Sequence, residues 1–157
     1  MIIPQDVLKS NNALFNAYSK NDYIFYEDDP PQFYYQVISG SVKMCSFSTD
    51  GQEFIQGIFK AGQSFGEPAI FGNFPFPSNA IALEDSEVAK LQAAVFFDIL
   101  KIDFGLMKKF TYLLAERLRY KSMLLKEISS YNPEHIIMTM LNYIRKNHKP
   151  EPGNDFI

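Results

Sequence analysis

The chain has 157 residues, of which 46% are hydrophobic and 21% charged, with a formal net charge of −3; this indicates about one globular domain and excludes a disordered segment. No apolar run approaches the ~20 residues that span a bilayer, and the first residues lack the features of a signal peptide, so we expect a cytoplasmic protein without membrane contact. One cysteine (Cys45) and two histidines (His135 and His148) exclude a disulfide framework and leave too few ligands for a cysteine- or histidine-based metal site.

The first 91 residues divide into a short helical segment and a series of strands. Residues 5–20, with apolar side chains such as Leu8, Leu14 and Tyr18, are predicted to form short helical pieces. From residue 22 onward, β-rich runs alternate with turn residues. The predicted strands cover residues 23–26, 33–38, 41–47, 54–59, 78–83 and 88–91. Short strands at this spacing, with a hairpin turn at Asp50-Gly51, indicate an antiparallel barrel or sandwich.

The periodicity becomes helical after residue 91. Residues 95–100 fit one amphipathic helix, and residues 106–131 form a longer one of about 39 Å without internal Gly or Pro. Apolar residues in this helix recur at spacings of 4, 3, 4 and 3, with one polar interruption, which is typical of a coiled-coil seam. The seam residues are Leu114, Leu118, Lys121, Leu125 and Ile128. An ordinary core helix is the alternative, but the length favours a parallel homodimer paired through this seam.

Charge is distributed unevenly between the two parts of the chain. Residues 1–103 hold six lysines, no arginine and 13 acidic residues, a charge of −7, whereas residues 104–157 carry +4. Such asymmetry is typical of two functional halves, although a helix with many surface cations explains it as well as a nucleic-acid contact does. Asn132-Pro133 predicts the start of another helix. Little chain follows to cover its apolar face, so we expect a second domain that is cut off.

The order of strands, glycines and turns resembles the cyclic nucleotide-binding fold of the Crp/Fnr family of bacterial transcription regulators. The resemblance is carried by residues 33–43, by Asp50-Gly51 and above all by residues 62–67, Gly-Gln-Ser-Phe-Gly-Glu. It implies a jelly-roll sensor domain, an antiparallel double-stranded β-helix, over residues 1–103. A dimerisation helix follows over residues 104–131. The resemblance makes residues 132–157 the start of a DNA-binding domain, a winged helix-turn-helix in the family, which is cut off in this chain.

The family's phosphate-binding cassette has a counterpart here that lacks its cation. In the family, amides at the start of a short helix after Gly-Glu hold the cyclic phosphate, the Glu binds the ribose, and an Arg about a dozen residues later pairs with the phosphate. The resemblance places the cassette at Gly66, Glu67, Pro68, Ala69, Ser78, Asn79 and Ala80, with Arg117 and Ser122 of the long helix nearby. The family's Arg-Ser/Thr-Ala element is replaced by Ser78-Asn79-Ala80.

The missing arginine predicts that cyclic AMP does not bind. A buried phosphate without a cationic partner loses a contact of about 1.5–3 kcal/mol, and a domain of charge −7 adds repulsion. We therefore expect no bound cofactor. Either the Phe and Pro side chains of residues 71–77 close the pocket, or an unidentified, less anionic effector enters it. Glu67 is predicted to form a structural salt bridge with Arg117.

Two alternatives to a transcription regulator remain open. In one, the chain is a stand-alone regulatory module that docks on a partner protein. In the other, it is an enzyme on a related barrel such as a cupin. An enzyme of that kind needs a His/Glu ligand cluster on the strands, and residues 1–134 contain no histidine. We therefore expect no catalytic residue.

Overall fold

The computed structural model describes residues 1–129, 137–138, 141–142 and 145. The chain divides into two compact units, one comprising Met1–Phe110 and a second that begins at Thr111. Within the described residues, no helix combines the length and the apolar character needed to cross a bilayer. The predicted helix that restarts at Asn132-Pro133 lies outside the described residues.

Helices α1 to α4 and strands β1 to β8 follow one another in the order that a β-roll with a carboxyl-terminal helix requires. The amino-terminal elements are α1 (Gln5–Ser10), β1 (Leu14–Tyr18), β2 (Tyr23–Phe25), β3 (Phe33–Ser39), β4 (Ser41–Phe47), β5 (Glu53–Lys60) and β6 (Ser64–Phe65). They are followed by α2 (Glu67–Gly72), β7 (Asn79–Ala82), β8 (Ser86–Gln92), α3 (Ala93–Ile102) and α4 (Phe104–Ser129).

The strands form two antiparallel four-stranded sheets. One has the order β1-β8-β3-β6 and the other the order β2-β7-β4-β5, so most neighbours in space are distant in sequence. The β4–β5 hairpin turns at Gly51, whose φ of +77° is the conformation that the predicted Asp-Gly turn needs. The jelly-roll fold with a long carboxyl-terminal helix is thus confirmed.

Aromatic side chains fill the space between the sheets and also fasten the helices to the outside of the first sheet. Along β3, Tyr35 faces the inner cluster while its neighbour Tyr34 faces outward, because successive side chains alternate across a strand. Tyr34 stacks on Phe96 of α3 at 4.6 Å between ring centroids, and Phe110 of α4 packs edge-on against Phe96 at 5.1 Å. The first turns of α4 therefore belong to the same unit as the sheets.

The prediction of helical pieces over residues 5–20 was wrong in its second half. Helix α1 ends at Ser10, and Leu14–Tyr18 forms β1, an edge strand that pairs antiparallel with β8. Asn12 adopts a φ of +59°, which breaks the helix and redirects the chain. The hydrogen bonds to β8 outweigh the local helical preference of the intervening residues.

Candidate functional site

The cassette begins where β6 turns into α2, at Gly66. Gly66 has a φ of +77°, a left-handed conformation that favours glycine. A Cβ atom at this position would lie 3.0 Å from the ring of Phe76 and 3.3 Å from that of Phe25. Pro68 occupies the first turn of α2, where its missing N–H leaves no helix bond unmade, and Ala69 is buried. Gly66 is therefore required both by the backbone and by the aromatic rings against it.

Glu67 is fully buried and is held by the strand that precedes it. The Ser64 hydroxyl, also fully buried, donates a hydrogen bond to the Glu67 carboxylate. This bond fixes the carboxylate within the cassette segment itself. Ser64 was not among the predicted site residues, although its place three residues before Glu67 was a usable signal. The predicted salt bridge with Arg117, a residue of the second unit, stays a prediction.

The three residues in place of the Arg-Ser/Thr-Ala element are all buried and uncharged. Ser78, which the resemblance places at the arginine position, is buried, and its Oγ has no hydrogen-bond partner among the described residues. Asn79 accepts a hydrogen bond from the Glu27 amide at 3.0 Å and donates one to the Cys45 carbonyl at 3.3 Å. Ala80 lies in the inner core. The segment therefore serves packing and strand connection, and offers no charge to an anion.

Phe76 occupies the space beside Gly66 within the inner core. Its side chain is 1% exposed and stacks on Phe25 with 3.9 Å between ring centroids. Its backbone is tied at both polar groups: the Phe76 amide donates to the Asp29 carbonyl at 3.0 Å, and the Phe76 carbonyl accepts from the Asp28 amide at 2.9 Å. The ring is thus held inward by its own loop.

The remaining residues of the apolar loop are less buried than Phe76. Pro75 and Pro77 are exposed, and closure of the pocket by proline side chains stays a prediction. Phe74 is 42% exposed, and Phe71 packs against Phe96 and Phe97 on the outer layer. Of the three loop phenylalanines, Phe76 is the one whose ring lies against Gly66.

Ionisable side chains around the inner core are displaced from their usual titration ranges. Burial raises the pKa of Tyr35 well above its usual range, with Tyr18 and Asp29 adding to the rise. Burial, helped by a hydrogen bond with Glu53, raises the pKa of the Cys45 thiol to about 11. Glu53 itself is paired with Lys43 at 2.5 Å, and that hydrogen bond lowers the pKa of its carboxyl. Burial thus keeps Tyr35 and Cys45 neutral, whereas the pairing with Lys43 keeps the Glu53 carboxyl ionised.

The predicted site residues of α4 lie in the second unit. Ser122, predicted near a ligand, donates its hydroxyl to the Leu118 carbonyl of the same helix at 2.9 Å. Among the seam residues, Leu118, Lys121 and Leu125 are exposed and Leu114 is half-buried. The side chain of Ile128 lies outside the described residues. The pairing of two such helices stays a prediction.

Comparison with known proteins identifies the family of this roll. The family model of the cyclic nucleotide-binding domain matches residues 15–103. The chain is 29% identical over 102 residues to the cyclic AMP receptor protein of Thermus thermophilus, covering 65% of this chain and 47% of that protein. It is 26% identical over 119 residues to lysophospholipase nte1 of Aspergillus oryzae, covering 75% of this chain and 8% of that protein.

A solved structure gives the same result. The crystal structure of the Thermus thermophilus catabolite activator protein is similar at a TM-score of 0.71 and 27% identity, over 81% of this chain and 60% of that one. The chain thus spans less than two thirds of each of these relatives. The two-sheet roll and the turn into α2 define a domain of the cyclic nucleotide-binding type. The chain belongs to the cyclic nucleotide-binding domain family.

Proposed function

We propose that this chain is the effector-sensing and dimerisation region of a cytoplasmic Crp/Fnr-like transcription regulator that does not bind cyclic AMP and catalyses no reaction. The observation that carries the proposal is the ring of Phe76, stacked on Phe25 against Gly66. In this proposal, the space beside Gly66 is where a relative would bind the phosphate. Here aromatic rings line that space, and the uncharged Ser78 takes the position of the arginine.

Two costs oppose a cyclic nucleotide at this site. A phosphate gains no charge-assisted bond from Ser78, which forgoes about 1.5–3 kcal/mol. A ligand that entered beside Gly66 would also push the buried Phe76 ring out of the core, at about 1.5–3 kcal/mol for the lost burial. Together these costs remove about two to four orders of magnitude from the affinity.

Dimerisation through α4 provides the output in this proposal. Leu118 and Leu125 are 67% and 68% exposed. A row of exposed leucines along one side of a helix is typical of a surface that binds another chain. A second copy of α4 would cover them. An effector that alters this pairing would reorient two DNA-binding domains, which the full protein carries after residue 131 in this proposal.

Titration calorimetry with cyclic AMP and cyclic GMP tests the proposal on the full chain. We expect no binding tighter than about 10 μM, which corresponds to about −7 kcal/mol. The matched variant is Phe76→Ala combined with Ser78→Arg, which empties the space beside Gly66 and restores the cation. Cyclic AMP should bind this double variant at least about tenfold more tightly than the native chain. A micromolar dissociation constant for the native chain contradicts the proposal.

A stand-alone module that docks on a partner protein is the second candidate. It is favoured by one face of the β4–β5 hairpin, where Phe47, Ile55 and Ile58 are each 46% or more exposed. An apolar surface of this kind on an edge strand marks an interaction site. Light scattering separates the two candidates: a mass of two chains supports pairing through α4, and a mass of one chain at tens of micromolar favours the docking module.

A further inference from the structure

A cavity lies at the end of the first sheet, where β8 leads into α3 and the turn after α1 approaches. Its volume is about 350 Å³. Its walls include Asn11, Asn12, Leu14, Phe33, Lys90 and Gln92. None of the cassette residues lines it, so its occupant need not be the ligand of the cassette.

Lys90 projects from the inner face of the sheet into this cavity. Val88, two residues earlier on β8, belongs to the inner core, so Lys90 extends from the same face of the strand. Lys90 also pairs directly with Tyr35 on β3 and with Leu14 on β1. Its ammonium nitrogen lies 4.0 Å from the centroid of the Phe33 ring and 6.0 Å from that of Tyr35. The cation therefore rests on aromatic faces at the rim of an apolar interior.

No carboxylate in the described part of the chain lies within salt-bridge distance of Lys90. By contrast, Lys43 and Lys101 are each paired with an acidic side chain. A half-buried ammonium held only by ring faces has donors left to offer, and an anion satisfies them better than an aromatic ring does. No acidic residue lines the cavity to repel such an anion.

The other walls define the rest of the ligand. Leu14 and Phe33 provide an apolar surface, while the side-chain amides of Asn12 and Gln92 stand at the exposed rim. The volume lies at the small end of the range for ligand pockets. We propose that this cavity binds a small organic carboxylate, with the carboxylate on the Lys90 ammonium and the apolar part against Phe33 and Leu14.

Phenylacetate is the probe, and titration calorimetry on the full chain is the measurement. The neutral analogue phenylacetamide should bind at least about tenfold more weakly, because it loses the charge-assisted bond to Lys90. Inorganic phosphate, which is anionic without an apolar part, should also bind at least about tenfold more weakly than phenylacetate. Equal binding of phosphate or of phenylacetamide would overturn the proposed ligand class, and no measurable binding of phenylacetate would overturn the site.

Two variants place the binding at this cavity. Lys90→Gln should weaken phenylacetate binding at least about tenfold, whereas Lys9→Gln should leave it unchanged, because Lys9 lies over the ring of Phe15 and does not line the cavity. Asn12→Asp keeps the shape of an exposed side chain and its left-handed backbone but introduces a negative charge, so it should weaken binding without lowering the melting temperature. Unchanged affinity in both cavity variants would disprove the proposal, whatever the outcome with cyclic AMP.

Discussion

The core between the two sheets and the part of α4 beyond Phe110 differ in how far their large apolar residues are exposed. In the core, rings such as Phe65 and Phe76 are no more than 1% exposed. In α4 beyond Phe110, Tyr112, Leu118 and Leu125 are each about two thirds exposed. The core between the sheets is thus complete within one chain, whereas α4 presents apolar surface that a second copy would cover in the proposed dimer.

Charged substitutions in the exposed seam should have the largest effect, because they act on the proposed dimer of α4. Leu118→Glu with Leu125→Glu removes four leucines from a dimer interface, each worth about 1.5–3 kcal/mol when buried. We expect the dissociation constant of the dimer to rise by a factor of about 10⁴ or more, with light scattering reporting a mass of one chain. The control is Thr111→Glu with Lys126→Glu, which alters charge on exposed non-seam residues of the same helix. If the native chain is already monomeric at tens of micromolar, the helix has no such partner.

Truncating a ring inside the first unit should have the next largest effect, on folding stability. Phe76→Ala removes a fully buried side chain stacked on Phe25, and should lower the free energy of unfolding by about 3–5 kcal/mol. Phe74→Ala is the matched control, from the same loop but 42% exposed, and should cost less than about 1 kcal/mol. Urea unfolding at constant pH measures both variants. Equal losses would mean that Phe76 does not fill the core beside Gly66.

Replacing each of the two buried serines of the cassette by alanine should change the free energy of unfolding differently. Ser64→Ala removes the donor to the buried Glu67 carboxylate and should destabilise the chain by about 1.5–3 kcal/mol. Ser78→Ala removes a buried hydroxyl that has no partner in the described residues, and should be neutral or stabilise by about 1 kcal/mol. Thermal unfolding of the two variants side by side decides this. A large loss for Ser78→Ala would show that its hydroxyl makes a contact essential to the fold.

The sequence predicted the fold well where local patterns carry the information. Alternating β-rich runs and an Asp-Gly turn located most of the strands, and a long stretch of helical periodicity located α4. Strand β1 was missed because residues 14–18 are strand only through pairing with β8, at the far end of the domain, and local propensity contains no trace of that pairing.

The candidate sites divide in the same way. Gly66 and Glu67 were predictable from their motif, since a positive φ and a buried acid need those residue types. The inward turn of Phe76 was not predictable, because three phenylalanines share the loop and the backbone bonds of Phe76 to Asp28 and Asp29 are long-range contacts that no local pattern contains. The position of Lys90 was missed because a lysine in a strand ordinarily faces solvent, whereas the register of β8 places this one on the face of Val88.

The titration of Cys45 tests, with the smallest expected effect, how dry the interior of the first unit is. Because burial raises the pKa of this thiol to about 11 in the folded chain, the unfolded chain loses its proton first as the pH rises. The resulting stability is fully present below the unfolded pKa of about 8.5 and is lost as the pH rises toward 11. Between pH 7 and 9 the free energy of unfolding should fall by less than about 1 kcal/mol from this group. The variant Cys45→Ala should lack this component of the pH dependence. An identical slope in the native chain and the variant would show that water reaches the thiol and that the interior is less closed than its aromatic packing indicates.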